Sequence, residues 1–367
     1  MLRRIYVDNF RSFSNFELEL GRRSLWMGPN GSGKSSLMDV LVKVQQFVLD
    51  GQWAYDCFPA RERTRWMTNP RQTVELEFRL EGEGYVYRLV TEPVGQEERT
   101  RVTEETVTCN GKEIFSFRLG ELQLYNDNFE AKVKFHTDWH RSGLGIVASR
   151  PDNQILTRLK RAFPLIRCFR ANPFVIRGEA LKEKEHPRSD LSNFAAWYRH
   201  LRQSYPDRDE NYLDALREAV EGFQFLRITP SGEARILEAD FSLEEGGHAK
   251  YELNELSEGQ RCLFALYAII HFLLPDGGIV VLDEPDNFVS LREIQPWLGA
   301  AEEVLDNSET QLVLVSHHPE ILNQWAPDFG IVFCREPGGP TRTRRFSSQD
   351  HGPLTPSEVV ARGWEHE

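Results

Sequence analysis

An α/β fold is predicted for this 367-residue chain, with a core of fully buried strands, an antiparallel β lobe and a helical insertion lobe. Three observations predict it. Ile279–Leu282 and Leu312–Val315 are unbroken apolar runs, as expected of strands covered on both faces. Within residues 73–135, Val74-Glu75-Leu76-Glu77-Phe78 and Tyr85-Val86-Tyr87-Arg88-Leu89 alternate strictly, the period of a half-buried sheet. From about residue 152 the apolar period becomes helical.

Taken in order, residues 2–8 and 15–20 alternate and read as two antiparallel strands joined by Asn9-Phe10-Arg11-Ser12-Phe13. A short strand at 24–28 leads into a Gly-rich turn and a helix from about Gly33 to Leu49. In the β lobe, Asn110-Gly111 between Thr106–Cys109 and Lys112–Phe115 is a type I′ hairpin signal. Helical faces follow at Ile155/Leu159/Phe163, at Leu191/Phe194/Tyr198/Leu201 and at Leu213/Leu216/Val220/Phe223. The charged run Lys182–Pro187 reads as an exposed loop, and no heptad pattern lasts long enough for coiled-coil arms. Strands at 225–228 and 236–243 return the chain to a helix at 257–274 and the buried strands at 278–283 and 311–316. A hairpin around Pro337–Pro340 closes the fold. The expected division is 1–150 (first half of the core with the β lobe), 151–250 (helical lobe), 251–346 (second half of the core) and 347–367 (polar tail).

Composition excludes several classes. The longest nearly apolar run, Leu263–Leu274, is too short to cross a bilayer, and Met1–Val7 enters a strand without a signal core, so a cytoplasmic protein with no membrane role is expected. Five scattered cysteines form no Cys-x-x-Cys pair, which speaks against zinc and disulfides. A net charge of −12 argues against a uniformly basic nucleic-acid binder. Locally the sign reverses: Arg141, Arg150, Arg158, Lys160, Arg161, Arg167, Arg170 and Arg177 lie in one stretch with Asp152 as the sole acid. These arginines either pair with acids elsewhere in the fold or face a nucleic acid or acidic partner. The first reading is favoured, because Arg serves structure as readily as recognition.

The chemistry lies in four motifs. Gly28-Pro29-Asn30-Gly31-Ser32-Gly33-Lys34-Ser35 fits G-x-x-x-x-G-K-[ST], between a strand and a helix, where backbone N–H groups and a helix N-terminus can cradle phosphates. Lys34 would reach the β- and γ-phosphates, and Ser35 would bind Mg²⁺. Asp283 and Glu284 end a buried strand, where the first suits a Mg²⁺ shell and the second a general base on water. Ser257 is placed to cap a long apolar helix, with Gly259 removing bulk in its first turn. The plain alternative is a capped helix and nothing more. Its position about twenty residues before the acidic strand suggests a γ-phosphate binder. His317 ends the second core strand and is preferred over His318 as a γ-phosphate contact.

In this order and spacing the motifs resemble the ABC ATPase family, and within it the SMC/RecF/OLD-like branch. The resemblance makes Gly28–Ser35 the Walker A loop, Leu256–Gln260 the signature, Gly278–Glu284 Walker B, Asp286-Asn287 the D-loop and His317 the switch histidine. It implies ATP and Mg²⁺ as ligands and adds Ser36 to the phosphate-binding set. It also makes Arg11, in an opening similar to that of RecF-like heads, a nucleotide contact. Residues 150–228 resemble the insertion of small stand-alone ATPases found in anti-phage systems such as OLD, Gabija, Septu and PARIS. Three departures matter. Glu258 replaces the usual second glycine of the signature, only Gln154 offers itself for the Q-loop, and the stretch after His317 has no room for a TOPRIM nuclease. The resemblance therefore implies a head-to-head homodimer, with Ser257 and Gly259 acting on the partner copy's ATP. It also implies a separate effector such as a nuclease or toxin. The other implied reading is a RecF-like DNA-binding protein that uses Arg141–Arg177.

Overall fold

The computed structural model describes residues 1–95, 99–347 and 352–364. The chain forms two compact units, Met1–Arg167 with Phe329–Phe346, and Cys168–Asp328 with the segment leading to Arg362. Part of the expected polar tail, residues 348–351 and 365–367, lies outside the described residues.

The first unit opens with β1 (Leu2–Asp8), β2 (Phe16–Glu19), β3 (Arg23–Met27), α1 (Lys34–Leu49) and α2 (Ala54–Cys57). It continues through β4 (Gln72–Leu80), β5 (Glu83–Val94), β6 (Arg99–Cys109), β7 (Lys112–Arg118), β8 (Glu121–Tyr125) and β9 (Ala131–His136) to α3 (Gln154–Ala162). Eight of these strands form an antiparallel sheet in the order β2-β1-β4-β5-β6-β7-β8-β9. Its alternation is real: Val74, Leu76 and Phe78 are buried, as are Tyr85, Tyr87 and Leu89. The β6–β7 turn places Asn110 at φ 49° and Gly111 at φ 78°, the paired left-handed residues of a type I′ hairpin. β8 alternates in the same way, with Leu122 and Leu124 buried, whereas β9 is almost wholly exposed and carries no apolar stripe.

β10 (Ile166–Phe169) ends the first pass. The second unit holds β11 (Glu179–Ala180), α4 (Phe194–Ser204), α5 (Pro206–Ala219), β12 (Phe223–Ser231), β13 (Ala234–Ser242) and β14 (His248–Glu252). There follow α6 (Glu258–Ala268), β15 (Ile279–Asp283), α7 (Leu291–Asp306), β16 (Gln311–Val315) and α8 (Pro319–Phe329). β15 and β16 run parallel in register from Ile279↔Gln311 to Asp283↔Val315, with α7 as the crossover, and all ten of their residues are buried. β11–β14 make a separate antiparallel sheet. The chain then returns to the first unit with β17 (Gly330–Arg335) and β18 (Thr341–Arg345), an antiparallel hairpin whose first strand runs parallel to β3. α9 (Pro356–Ala361) lies near the end.

Helix limits differ from the periodic reading at three points. Leu191 precedes α4 in the left-handed region at φ 59°, although it is fully buried. α5 stops at Ala219, and Gly222 at φ 75° turns Phe223 into the first residue of β12. α3 ends before Phe163-Pro164, and Leu156 rather than Ile155 carries its buried face with Leu159. In each case an apolar side chain just beyond the helix limit reaches the core, from a turn for Leu191, a short 3-10 helix for Phe163 and a strand end for Phe223, positions that periodicity cannot separate from a helix. No helix among the described residues is long and apolar enough to cross a membrane.

Candidate functional site

The loop from β3 to α1 turns on three left-handed glycines, two of which leave no space for a side chain. Gly28, Gly31 and Gly33 take φ values of 129°, 79° and 115°. A Cβ on Gly28 would lie 2.2 Å from the Phe333 carbonyl oxygen of β17, and one on Gly33 would lie 2.8 Å from Thr341 Oγ1 of β18. Thr341 Oγ1 donates to the Ser32 carbonyl at 2.8 Å and sits 2.8 Å from Ser12 Oγ, while its N–H donates to the Ser12 carbonyl at 2.9 Å. The loop is thereby clamped between the first turn of the chain and its last hairpin. Lys34 is buried, and its Nζ donates to the carbonyls of Gly28 and, at 3.1 Å, of Pro29. Asn30, Gly31 and Ser35 are exposed and Ser36 is half-buried. The Ser32 hydroxyl is buried without a hydrogen-bond partner.

α1 begins at Lys34 with no side-chain cap and no acid in its first turn, unlike α6, α7 and α9, each of which carries its own capping box. The positive end of this 16-residue helix points into the loop, where the helix dipole favours negative charge. Arg11, also left-handed at φ 49°, lies one turn further along. Its guanidinium donates to Asp39 at 2.5 Å and to Glu62 at 2.9 Å, and reaches Ser36 Oγ at 3.4 Å. Burial opposes the charge on Glu62, but hydrogen bonds from Arg11 and Lys43 hold its carboxyl below the usual range.

In the second unit Asp283 ends β15 with its side chain 2% exposed. Arg170, the residue after β10, donates Nε to Asp283 Oδ2 at 2.9 Å and bonds the same oxygen through a second guanidinium nitrogen. Glu284 follows in the left-handed region at φ 51°, a strained position for a side chain of this size. Its Oε2 accepts from Asn287 Nδ2 at 2.8 Å. Asp286 accepts from Ser316 Oγ at 2.6 Å, and burial pushes its carboxyl pKa up against that bond. Ser316 Oγ in turn accepts the His318 N–H at 2.9 Å, and His318 Nδ1 accepts the Glu320 N–H at 3.3 Å. His318 is thus committed to the head of α8, whereas half-buried His317 stands at the end of β16.

Ser257 caps α6: its Oγ accepts the Gln260 N–H at 3.2 Å, and Gln260 Oε1 accepts the Ser257 N–H at 3.1 Å. Gly259 is required by proximity, since a Cβ there would stand 2.6 Å from the Phe288 carbonyl oxygen. Beside this helix end the Phe288 ring meets Phe174 edge to face at 5.5 Å, and the two are 50% and 63% exposed. Two large aromatic rings thus stand in solvent next to this helix end.

Most of the basic stretch is engaged within its own unit. Arg158 pairs with Glu81 at 2.8 Å and Glu83 at 2.7 Å, Arg150 with Asp152 at 2.8 Å, and Arg170 with Asp283. Lys160 donates to the carbonyls of Gly145 and Val147, and Arg141 stacks 4.0 Å over Trp53. Gln154 opens α3 and turns its amide onto the Arg150 carbonyl. Among the described residues, no three His, Cys, Asp or Glu side chains converge as a metal cage. Ser35 and Asp283 offer a hydroxyl and a carboxylate, hard oxygen donors of the kind Mg²⁺ takes alongside phosphate and water. Sequence reasoning missed Arg170, Thr341, Phe174 and Phe288.

Comparison with known proteins places these features in a family. Residues 27–323 match the family described as "AAA domain, putative AbiEii toxin, Type IV TA system". The fold is similar to an SMC head bound to the C-winged helix domain of ScpA (TM-score 0.57, 13% identity, 95% of this chain and 99% of that one). It is similar also to an SMC head with an extended coiled coil bound to the C-terminal domain of ScpA, from Pyrococcus furiosus (0.56, 12%, 99% of each), and to the SMC head domain from Thermotoga maritima (0.50, 15%, 94% and 98%). The peptide transport system ATP-binding protein SapD of Escherichia coli is 25% identical over 107 residues, 29% of this chain. The match spans about a third of SapD, 32% of its length.

Proposed function

Because the chain belongs to the AAA-domain family matched over residues 27–323 and has the fold of an SMC-type ATPase head, we propose that it binds and hydrolyses ATP as a nucleotide-sandwich homodimer. The observation that carries the ATP reading is the loop itself. Its glycine cradle, buried Lys34, unpartnered Ser32 hydroxyl and uncapped α1 form a phosphate-shaped set of donors. In this reading the backbone of Asn30, Gly31, Ser32 and Gly33 holds the phosphate oxygens, Lys34 bridges the β- and γ-phosphates, and Ser35 and Ser36 face the phosphates from the first turn of α1. Arg11 steadies that turn through Ser36 and Asp39. Ser35 and Asp283 hold one Mg²⁺, which supplies neutralising charge on the phosphate oxygens. Glu284, fixed by Asn287, orients and deprotonates the attacking water, and His317 contacts the γ-phosphate.

Ser257 and Gly259 are assigned to ATP held by a second copy. Support comes from the exposed aromatic pair beside the α6 N-terminus, since a surface of that kind is suited to burial against another subunit. Binding of ATP would close the dimer and hydrolysis would open it, passing a signal to a separate effector such as a nuclease or toxin in anti-phage defence. The family description itself carries the words "putative AbiEii toxin, Type IV TA system", which tie the family to such systems, while the separate effector rests on the resemblance alone. The DNA-binding alternative rests on Arg141–Arg177, and the internal pairing of Arg150, Arg158, Lys160 and Arg170 leaves it with less support.

Mixing two inactive variants tests the dimer. Lys34→Ala and Ser257→Arg should each be inactive alone. Mixed, they form one intact composite site, from the loop of the Ser257→Arg chain and the α6 end of the Lys34→Ala chain. Part of the ATPase activity should return, rising with total protein concentration. Wild-type protein that turns over ATP at full specific activity as a strict monomer overturns the proposal.

A further inference from the structure

We infer that Arg170 is a built-in counterion for Asp283 that gives way when a divalent cation is taken up with the nucleotide, and that the exchange reaches the surface beside Ser257 through Phe174. The inference rests on the reading of Asp283 as a metal ligand. Its own basis is an asymmetry in the ion pair: the Asp283 side chain is 2% exposed and that of Arg170 57%. A buried carboxylate needs a cation, because an unpaired charge out of water is strongly unfavourable. Arg170 supplies that charge with Nε 2.9 Å from Oδ2 and a second nitrogen on the same oxygen. The anion is fixed at the end of a core strand, whereas the cation stands at the rim on a long side chain. Its guanidinium cannot relieve repulsion by losing a proton. A divalent ion and a guanidinium on one carboxylate oxygen would repel each other at close range, so Arg170 must leave as the ion is taken up.

Leaving has a consequence nearby. Arg170 N–H donates to the Ser189 carbonyl at 2.8 Å, and a tight turn follows in which the N–H groups of Val175 and Ile176 both donate to the Asn172 carbonyl. Phe174 projects from that turn against Phe288, whose carbonyl covers Gly259 at the head of α6. Only three residues separate the exchanged cation from the exposed aromatic ring. Arg170 therefore links cation uptake to the surface assigned to the second copy.

The test uses full-length protein and a fluorescent ATP analogue, titrated with Mg²⁺ at fixed nucleotide and compared with binding in EDTA. Arg170→Gln should lower the half-saturating Mg²⁺ concentration by about tenfold, and Arg170→Lys, which keeps charge without the planar fork, by a few fold. Melting provides the second readout. Apo Arg170→Gln should melt below wild type, and Mg²⁺ with the analogue should restore most of the difference. An unchanged Mg²⁺ requirement overturns the inference, as does an equal loss of melting temperature with and without Mg²⁺ and nucleotide, which would make Arg170 a strut. If Arg170→Gln does not fold, the Arg170→Lys titration decides, and no shift there overturns it equally. Wild-type protein with no affinity for the analogue, in Mg²⁺ or in EDTA, would instead strike the ATP reading itself.

Discussion

At the scale of single residues, the phosphate loop is defined by what lies behind it as much as by its own sequence. Gly28→Ala should destabilise the fold by about 3 kcal/mol or more, since its Cβ would enter the Phe333 carbonyl at a φ that only glycine favours. Chemical denaturation measures this, and a loss under about 1 kcal/mol would show that β17 can move aside. Lys34→Ala should abolish ATP binding, because the lysine supplies the cation nearest the cradle. Glu284→Gln should keep binding and lose hydrolysis. Equilibrium binding together with phosphate release separates the two, and wild-type turnover by Glu284→Gln would remove Glu284 from the role of base. The motif residues were legible because each ends a buried strand or opens a helix. Thr341 and Phe333 were not, because nothing local in a closing hairpin announces that its backbone will abut a loop some three hundred residues earlier.

At the scale of elements, α6 and α9 allow a matched comparison. Both begin with a capping box, Ser257 with Gln260 and Thr355 with Glu358. Ser257→Ala and Thr355→Ala should each cost about 1 kcal/mol of stability. Only the first should also lower ATPase activity, and equal activity in the two variants would reduce Ser257 to a helix cap. Most strands of the β lobe and the two parallel core strands could be read from period alone, since one face or both are buried, whereas almost wholly exposed β9 could not. The helix ends could not. Leu191 is buried from a left-handed turn and Phe223 from the strand end that follows Gly222, so the apolar spacing persists past the helix.

At the scale of the whole molecule, one half-buried histidine contributes an acid sensitivity. The His271 ring stacks on Tyr267 at 6.4 Å and meets Tyr212 at 6.3 Å, and burial lowers its pKa from the ordinary 6.5 to about 4. Folding favours the neutral ring, so its contribution is intact above pH 6.5 and is lost as pH falls towards 4. The loss amounts to roughly 3 kcal/mol at most. His271→Phe should flatten the stability profile across that window, and an unchanged slope would assign the acid sensitivity elsewhere.

The clamp on the phosphate loop also has a meaning in time. Thr341 closes against Ser12, 329 residues earlier in the chain, and Phe333 forms the ledge behind Gly28. At translation speeds of about 5–20 residues per second, roughly 15 to 65 seconds pass between synthesis of the loop and synthesis of its clamp. A chain still on the ribosome therefore carries the nucleotide motif without the backing that shapes it. Protein truncated after Asp328 should fail to bind ATP although every motif residue is present, and co-expression of residues 329–367 should restore some of that binding. In the proposed reading, a nascent copy would stay silent until this closing hairpin is made, and an unfinished copy would not enter the proposed dimer.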